Sequence, residues 1–261
     1  MIYEINDLTF GYSKHKNVLE SVNLSFSEGE LITILGRNGS GKSTLFSLML
    51  GINKPSSGNI MLDGVDLKEL SARKIAEKVG FVPQSHMPTF DFTAFEFVLM
   101  GCASKVGIFS SPGENEKKAA EEAFKLLEIE EFKEKKFREL SGGEQQELII
   151  ARAIAAKPKV ILFDEPTSHL DYANQQKVLR IIRGLSKAGF SCVITTHDPN
   201  HSLILGGKTA ILDGCGGLVF GKTEETVTEE NLKNAYDAEV YIRYLEEFNR
   251  NVCISQSIES L

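Results

Sequence analysis

No stretch of this sequence approaches the roughly 18 to 20 apolar residues that a membrane-crossing helix needs. The opening Met1-Ile2-Tyr3-Glu4 also lacks the basic-then-apolar layout of a secretory leader, so by itself the chain is expected to stay in the cytosol. There is no excess of positive charge. With 36 acidic residues against 29 lysines and arginines, the formal net charge is -7, and no basic stripe is left to hold a polyanion by releasing its counterions. This counts against nucleic acid as the main partner. Cysteine is scarce: Cys102, Cys192, Cys215 and Cys253 stand far apart, with no C-x-x-C pair to clasp a metal or form a redox couple, and read as reduced, mostly packing residues. Internal repeats and low-complexity segments are absent. What remains is ordinary globular material, 261 residues that are 42% hydrophobic and 25% charged, enough for a sizeable core.

Short runs broken by turn residues, Ile2 to Phe10 and Val22 to Phe26, predict a partly antiparallel β portion at the N-terminal end. Three other runs, Leu31 to Leu35, Val160 to Phe163 and Cys192 to Thr196, are apolar, rich in β-branched residues and followed by polar residues. They suit the buried parallel strands of an α/β sheet. Helices are expected from near Lys42 and Tyr172, the second with Val178, Leu179, Ile181, Ile182 and Leu185 at helical spacing. Between Gln84 and Leu140 only helical patterns occur. Phe92, Phe95, Val98 and Leu99 share one face, Ala120, Phe124 and Leu127 another, and Ser110-Ser111-Pro112-Gly113 separates them. This segment reads as a helical lobe inserted into the α/β core. After about Gly221 the pattern weakens.

The strongest local signal is Gly36-Arg37-Asn38-Gly39-Ser40-Gly41-Lys42-Ser43-Thr44, a full G-x-x-x-x-G-K-S between a strand and a helix. Its glycines let successive backbone N–H groups turn toward phosphate oxygens, and the positive end of the following helix favours the anion. Lys42 serves the β- and γ-phosphates of such a ligand, and Ser43 offers its hydroxyl to Mg²⁺. A second element, Val160-Ile161-Leu162-Phe163-Asp164-Glu165, sets two acids at the C-terminal end of a buried strand, where open α/β sheets bind ligands. Asp164 suits Mg²⁺ coordination, and Glu165 suits a general base that polarises an attacking water.

With Leu140-Ser141-Gly142-Gly143-Glu144-Gln145-Gln146 added, the chain resembles the nucleotide-binding subunit of an ABC transporter, with matches in order from Tyr12 to His197. Ser141 and Glu144 also form a capping box, which accounts for the serine and glutamate but not for two adjacent glycines in a first helical turn. The resemblance implies an α/β, P-loop NTPase fold of the ABC type, with an antiparallel β portion and an inserted helical subdomain. In residue terms this is an ATPase core over 1–84 and 158–221, a helical subdomain over 85–157 and a C-terminal extension over 222–261. It implies ATP and Mg²⁺ as cofactors and a head-to-tail homodimer in which Ser141, Gly142, Gly143 and Glu144 contact the ATP held by the opposite phosphate loop. It further implies that Gln84 approaches Mg²⁺ and the attacking water, that His197 touches the γ-phosphate, and that Tyr12 stacks on adenine. For Tyr12 an ordinary loop aromatic is an equal alternative, and Asp171 is either the acid of a loop linking the two sites or simply the cap of the next helix. Glu147 departs from the pattern, standing where many relatives carry Arg, and Glu144 replaces the commoner Gln.

Two functions fit a single cassette. One is a transport subunit held peripherally at the cytoplasmic side of the membrane by permease subunits and served indirectly by a substrate-binding protein. The other is a soluble ATPase of cofactor assembly. Phe90 to Gly101, with Gly107-Ile108-Phe109 following, resembles the equivalent stretch of importers of iron chelates, haem and cobalamin, which favours uptake, with molybdate also open as cargo. The aromatic residues of this stretch are expected to face more than one way and, with the Gln84 loop, to offer a groove to a permease helix. Phe97 is the residue expected to report that docking.

Overall fold

The computed structural model describes residues 1–13, 16–84, 91–107 and 110–255, so Phe90, Ile108 and Phe109 of the importer-like stretch lie outside the described residues. Along the chain, β1 (Tyr3–Phe10), β2 (Leu19–Phe26) and β3 (Leu31–Leu35) precede α1 (Lys42–Met49), and β4 (Ser57–Leu62) and β5 (Val65–Asp66) follow it. Next come α2 (Ala72–Lys78), β6 (Val79–Val82), α3 (Ala94–Leu99), α4 (Glu114–Leu127) and α5 (Gly142–Ala155). After these come β7 (Val160–Asp164), α6 (Tyr172–Lys187), β8 (Ser191–Thr196) and α7 (Pro199–Leu205). The chain then forms β9 (Lys208–Leu212), β10 (Leu218–Lys222), α8 (Thr223–Thr226), α9 (Glu229–Tyr236), β11 (Val240–Leu245) and β12 (Arg250–Ser255). Two compact units result, one of Met1–Glu69 with Val193–Leu261, the other of Leu70–Cys192.

In the first unit an antiparallel sheet runs in the order β2-β1-β4-β5. Tyr3, Ile5, Leu8 and Phe10 of β1 are buried, with a register shift between Ile5 and Leu8 where Asp7 takes a left-handed φ of 45°. β4 and β5 come after the glycine-rich loop, so the sheet closes around it in sequence. The Tyr3 hydroxyl donates to the carbonyl of Met49 at 2.6 Å, which ties the end of α1 to β1. β3, buried at every residue, pairs in parallel with β9, and β9 pairs antiparallel with β10.

The C-terminal region is more ordered than the weak sequence pattern suggests. Thr228 caps α9, and β11 and β12 form a hairpin from Val240↔Ser255 to Leu245↔Arg250. Val227, Leu232 and Ala235 join Leu35 and Ile211 in one buried cluster, against which Val240, Ile242 and Cys253 pack. The pattern is obscured because Tyr244, Leu245, Phe248 and Ile254 are apolar yet exposed.

In the second unit β6 and β7 pair in parallel, from Val79↔Val160 to Val82↔Phe163. α3 opens with a capping box between Thr93 and Glu96. Phe97 corrects the docking expectation. It is fully buried, its ring 4.6 Å from that of Phe137 and beneath the Arg152 guanidinium, so it belongs to the lobe's core. Phe95 stacks on Phe124, and Phe92 lies ahead of the helix. α6 buries Val178, Leu179, Ile182 and Leu185 as its 3.6-residue stripe predicts. Among the described residues no helix is long and apolar enough to cross a membrane. All four cysteines are free. Cys102 and Cys192 are buried and Cys253 half-buried, while Cys215 is exposed and so is not a packing residue.

Candidate active site

The glycine-rich loop belongs to the first unit. β3 delivers it, and Gly41 opens α1 at a φ of 105° with no side chain to cap the helix and no acid in the first turn. The positive end of α1 therefore has no carboxylate of its own to neutralise it. Gly36 is required by close approach: a Cβ there would lie 2.4 Å from the Ser40 hydroxyl and 3.2 Å from the carbonyl of Leu212. Gly39, at a φ of 81°, faces open space. Lys42 is 5% exposed and folds back across the loop, its ammonium donating to the carbonyls of Gly36 at 2.8 Å and Arg37 at 3.2 Å. The Ser40 Oγ is buried without a hydrogen-bond partner among the described residues. An orphaned hydroxyl, an uncapped helix end and a lysine folded back over the loop suit an arriving phosphate chain. Arg37, Asn38 and Ser43 are exposed, and Thr44 is buried.

Tyr12 lies in the same unit. Its hydroxyl is 3.2 Å from that of Thr44 and its ring meets Phe10 edge-on, yet the side chain is 70% exposed. A tethered aromatic with a bare face can accept a planar ring. His197, exposed, follows the last residue of β8. The turn around it is braced from both sides. Thr196 Oγ1 accepts from the Asp198 N–H at 3.1 Å and lies 2.9 Å from His201 Nδ1, while Asp198 caps α7. Burial holds the His201 imidazole below its ordinary pKa, opposed by the Asp198 carboxylate and aided by the neighbouring His197.

The acid pair belongs to the second unit. Asp164 closes β7, half-buried, and Glu165 follows with a left-handed φ of 43°, a conformation that costs a non-glycine residue about 1 kcal/mol or more. A turn holds it there. The Ser168 N–H donates to the Glu165 carbonyl and the Ser168 hydroxyl to Glu165 Oε2, each at 3.0 Å. Gln84 is exposed just beyond β6. Ser141 caps α5 in a full capping box, its N–H donating to Glu144 Oε2 at 2.7 Å; these bonds from Ser141 hold the Glu144 carboxyl below its usual range. Asp171 caps α6, accepting from the Asn174 N–H at 2.9 Å and from Asn174 Nδ2 at 2.9 Å. Sequence reasoning places Ser168 only in the Ser168-His169-Leu170-Asp171 stretch that resembles the loop linking the two sites, and it finds neither the hydroxyl's bond to Glu165 nor Asn174. A Cβ on Gly143 would lie 2.4 Å from Asn174 Oδ1, so that glycine answers to packing, whereas one on Gly142 would meet nothing within 4 Å.

A phosphate loop after a buried parallel strand, an acid pair at the end of another and a glycine-opened capped helix define an ATP-binding cassette, and the comparisons agree. Residues 19–168 match the ABC transporter family, and the chain belongs to that family. It is the ATP-binding, ATP-hydrolysing subunit type of such transporters. The molybdate import ATP-binding protein MolC of Haemophilus influenzae is 35% identical over 87% of this chain and 85% of its own length. A structure described as a metal-chelate type ABC transporter in an inward-facing conformation superposes with a TM-score of 0.88 at 31% identity, covering 100% of this chain and 99% of that one. A dimeric ATP-binding cassette in a post-hydrolysis state, bound to ADP and Pi, superposes with a TM-score of 0.70 at 31% identity over 85% of this chain and 98% of its own.

Proposed function

We propose that the chain is the ATPase subunit of an importer. Two copies bind two ATP molecules head to tail, and hydrolysis drives uptake of a metal chelate or a related substrate, molybdate included, through a membrane permease. The observation that carries this reading is likeness over the whole length to the metal-chelate type transporter, the C-terminal region included, where the dimeric cassette covers 85%. The molybdate importer's subunit supports it from sequence.

On this reading Lys42 and the loop N–H groups hold the phosphates, and Tyr12 stacks on the base. Ser43, Asp164 and Gln84 are oxygen donors of the hard kind that Mg²⁺ takes. Bound there, the ion would neutralise charge on the phosphate oxygens. Glu165 polarises the attacking water, His197 meets the γ-phosphate, and Ser141 to Glu144 close on the partner's ATP. Asp171 links the two sites while also capping α6. Catalysis is then positioning and charge stabilisation in a closed site.

The test joins ATP turnover by the purified protein with size-exclusion chromatography in ATP and Mg²⁺, followed by affinity capture from membrane extract. Glu165→Gln should lower turnover by about 10²- to 10⁴-fold and trap an ATP-bound dimer. A permease should be captured, and vesicles carrying the complex should take up molybdate or an iron chelate in an ATP-dependent way. An active ATPase that captures no membrane partner would overturn the transport reading in favour of a soluble assembly ATPase.

A further inference from the structure

The first turns of α5 and α6 meet at two levels. At the lower level the Asn174 amide, held by Asp171, fills the space a Cβ on Gly143 would need. One turn further along each helix, Glu147 Oε1 lies 2.6 Å from Lys177 Nζ. Gly143 and Glu147 are spaced i, i+4 on α5, and Asn174 and Lys177 i, i+3 on α6, so each pair lies on one helical face. Glu147 is 2% exposed, and its second oxygen, Oε2, is buried without a hydrogen-bond partner among the described residues, as is Gln146 Nε2 beside it in sequence. Lys177 remains about half exposed.

A buried carboxylate with one satisfied oxygen is a poor way to hold two helices together, since an apolar pair of similar volume serves stability as well or better. Its advantage is directional. The charge is compensated only when Lys177 stands opposite, so sliding or rotating α5 on α6 leaves a buried charge alone. The acid lies on α5 and the base on α6.

We infer that Glu147 and Lys177 are a positioning pair that fixes the register of the Ser141–Glu144 turn against the first turns of α6. This rests on the dimeric ATPase reading above and deepens it, because the pair sets the geometry with which one subunit's capped turn reaches the other's ATP. Neither residue belongs to the phosphate loop, the acid pair or the Ser141–Glu144 turn. They act through α5.

The experiment is a charge-swap cycle of Glu147→Arg, Lys177→Glu and the double variant, with turnover, binding of a fluorescent ATP analogue, and melting temperature measured for each. Each single substitution should lower kcat by about ten- to a hundredfold while analogue binding to the isolated subunit stays near wild type, because the phosphate loop is untouched. The double variant should recover kcat to within about threefold of wild type, its polarity inverted. Singles that keep wild-type kcat, or a double no better than the worse single, would overturn the inference. If Glu147→Arg does not fold, substitutions on the exposed side decide: Lys177→Arg should keep turnover and Lys177→Met lose it at matched melting temperature, and equal turnover would overturn the pairing. Loss of turnover in the wild type would instead count against the ATPase reading, which separates the two failures.

Discussion

Gly142 and Gly143 stand side by side in the first turn of α5, yet an added methyl group meets opposite surroundings at the two. At Gly143 it would lie 2.4 Å from Asn174 Oδ1 and 2.6 Å from Cγ of the same residue, which Asp171 prevents from swinging away. At Gly142 it would meet open space. Packing thus explains one glycine, and the open one is left for a ligand that approaches the backbone closely. Gly142→Ala should therefore raise the unfolding free energy by up to about 1 kcal/mol through helix propensity while weakening ATP-driven dimerisation. Gly143→Ala should lower it by about 1 to 3 kcal/mol, with partial recovery in Gly143→Ala/Asn174→Ala. Denaturant midpoints of the three variants check the signs, and equal effects at the two glycines would contradict the argument.

Beside the apolar cluster beneath it, the C-terminal hairpin is coupled to its unit by α7. Asn200, near its start, donates from Nδ2 to the Cys253 carbonyl at 3.1 Å and accepts from the Cys253 N–H at 2.9 Å, so one side chain takes both backbone groups of a β12 residue. Asn200→Ala should cost about 1 to 3 kcal/mol for two hydrogen bonds and speed proteolysis within β11 and β12, read by limited digestion. His201 gives α7 a pH dependence. Its folded pKa lies below the ordinary 6.5, so the unfolded chain binds the extra proton; the stability it contributes is present above that value and lost as pH falls below it. Melting temperature should fall from pH 7 to pH 5, and His201→Gln should flatten that slope. None of this was legible in sequence, for a clamp spanning 53 residues has no local pattern. The phosphate loop, the capping box at Ser141 and the strand ending in Asp164 were legible because each is written in consecutive residues with its own spacing. Phe97 shows the limit of periodicity, which marks apolar faces without telling an inner face from a docking one.

At the scale of the whole molecule, a ligand that binds only the folded chain stabilises it by mass action, about 2.7 kcal/mol at a hundred times its dissociation constant. ADP and ATP should share that term, since both offer phosphates to the loop around Lys42. On the proposed head-to-tail reading, closure of two subunits on ATP adds a second term that depends on protein concentration, because a dimer forms from two chains. In Glu165→Gln, which on the proposed reading hydrolyses bound ATP far more slowly, the ATP-induced rise in melting temperature should therefore grow as the protein is concentrated, while the rise with ADP should not. Lys42→Ala should lose most of both. Differential scanning calorimetry at two protein concentrations tenfold apart separates the outcomes. A concentration-dependent shift with ATP alone ties the phosphate loop of one copy to the capped turn of the other. A shift identical for both nucleotides at both concentrations would mean that binding occurs without closure, and the head-to-tail dimer would have to be abandoned.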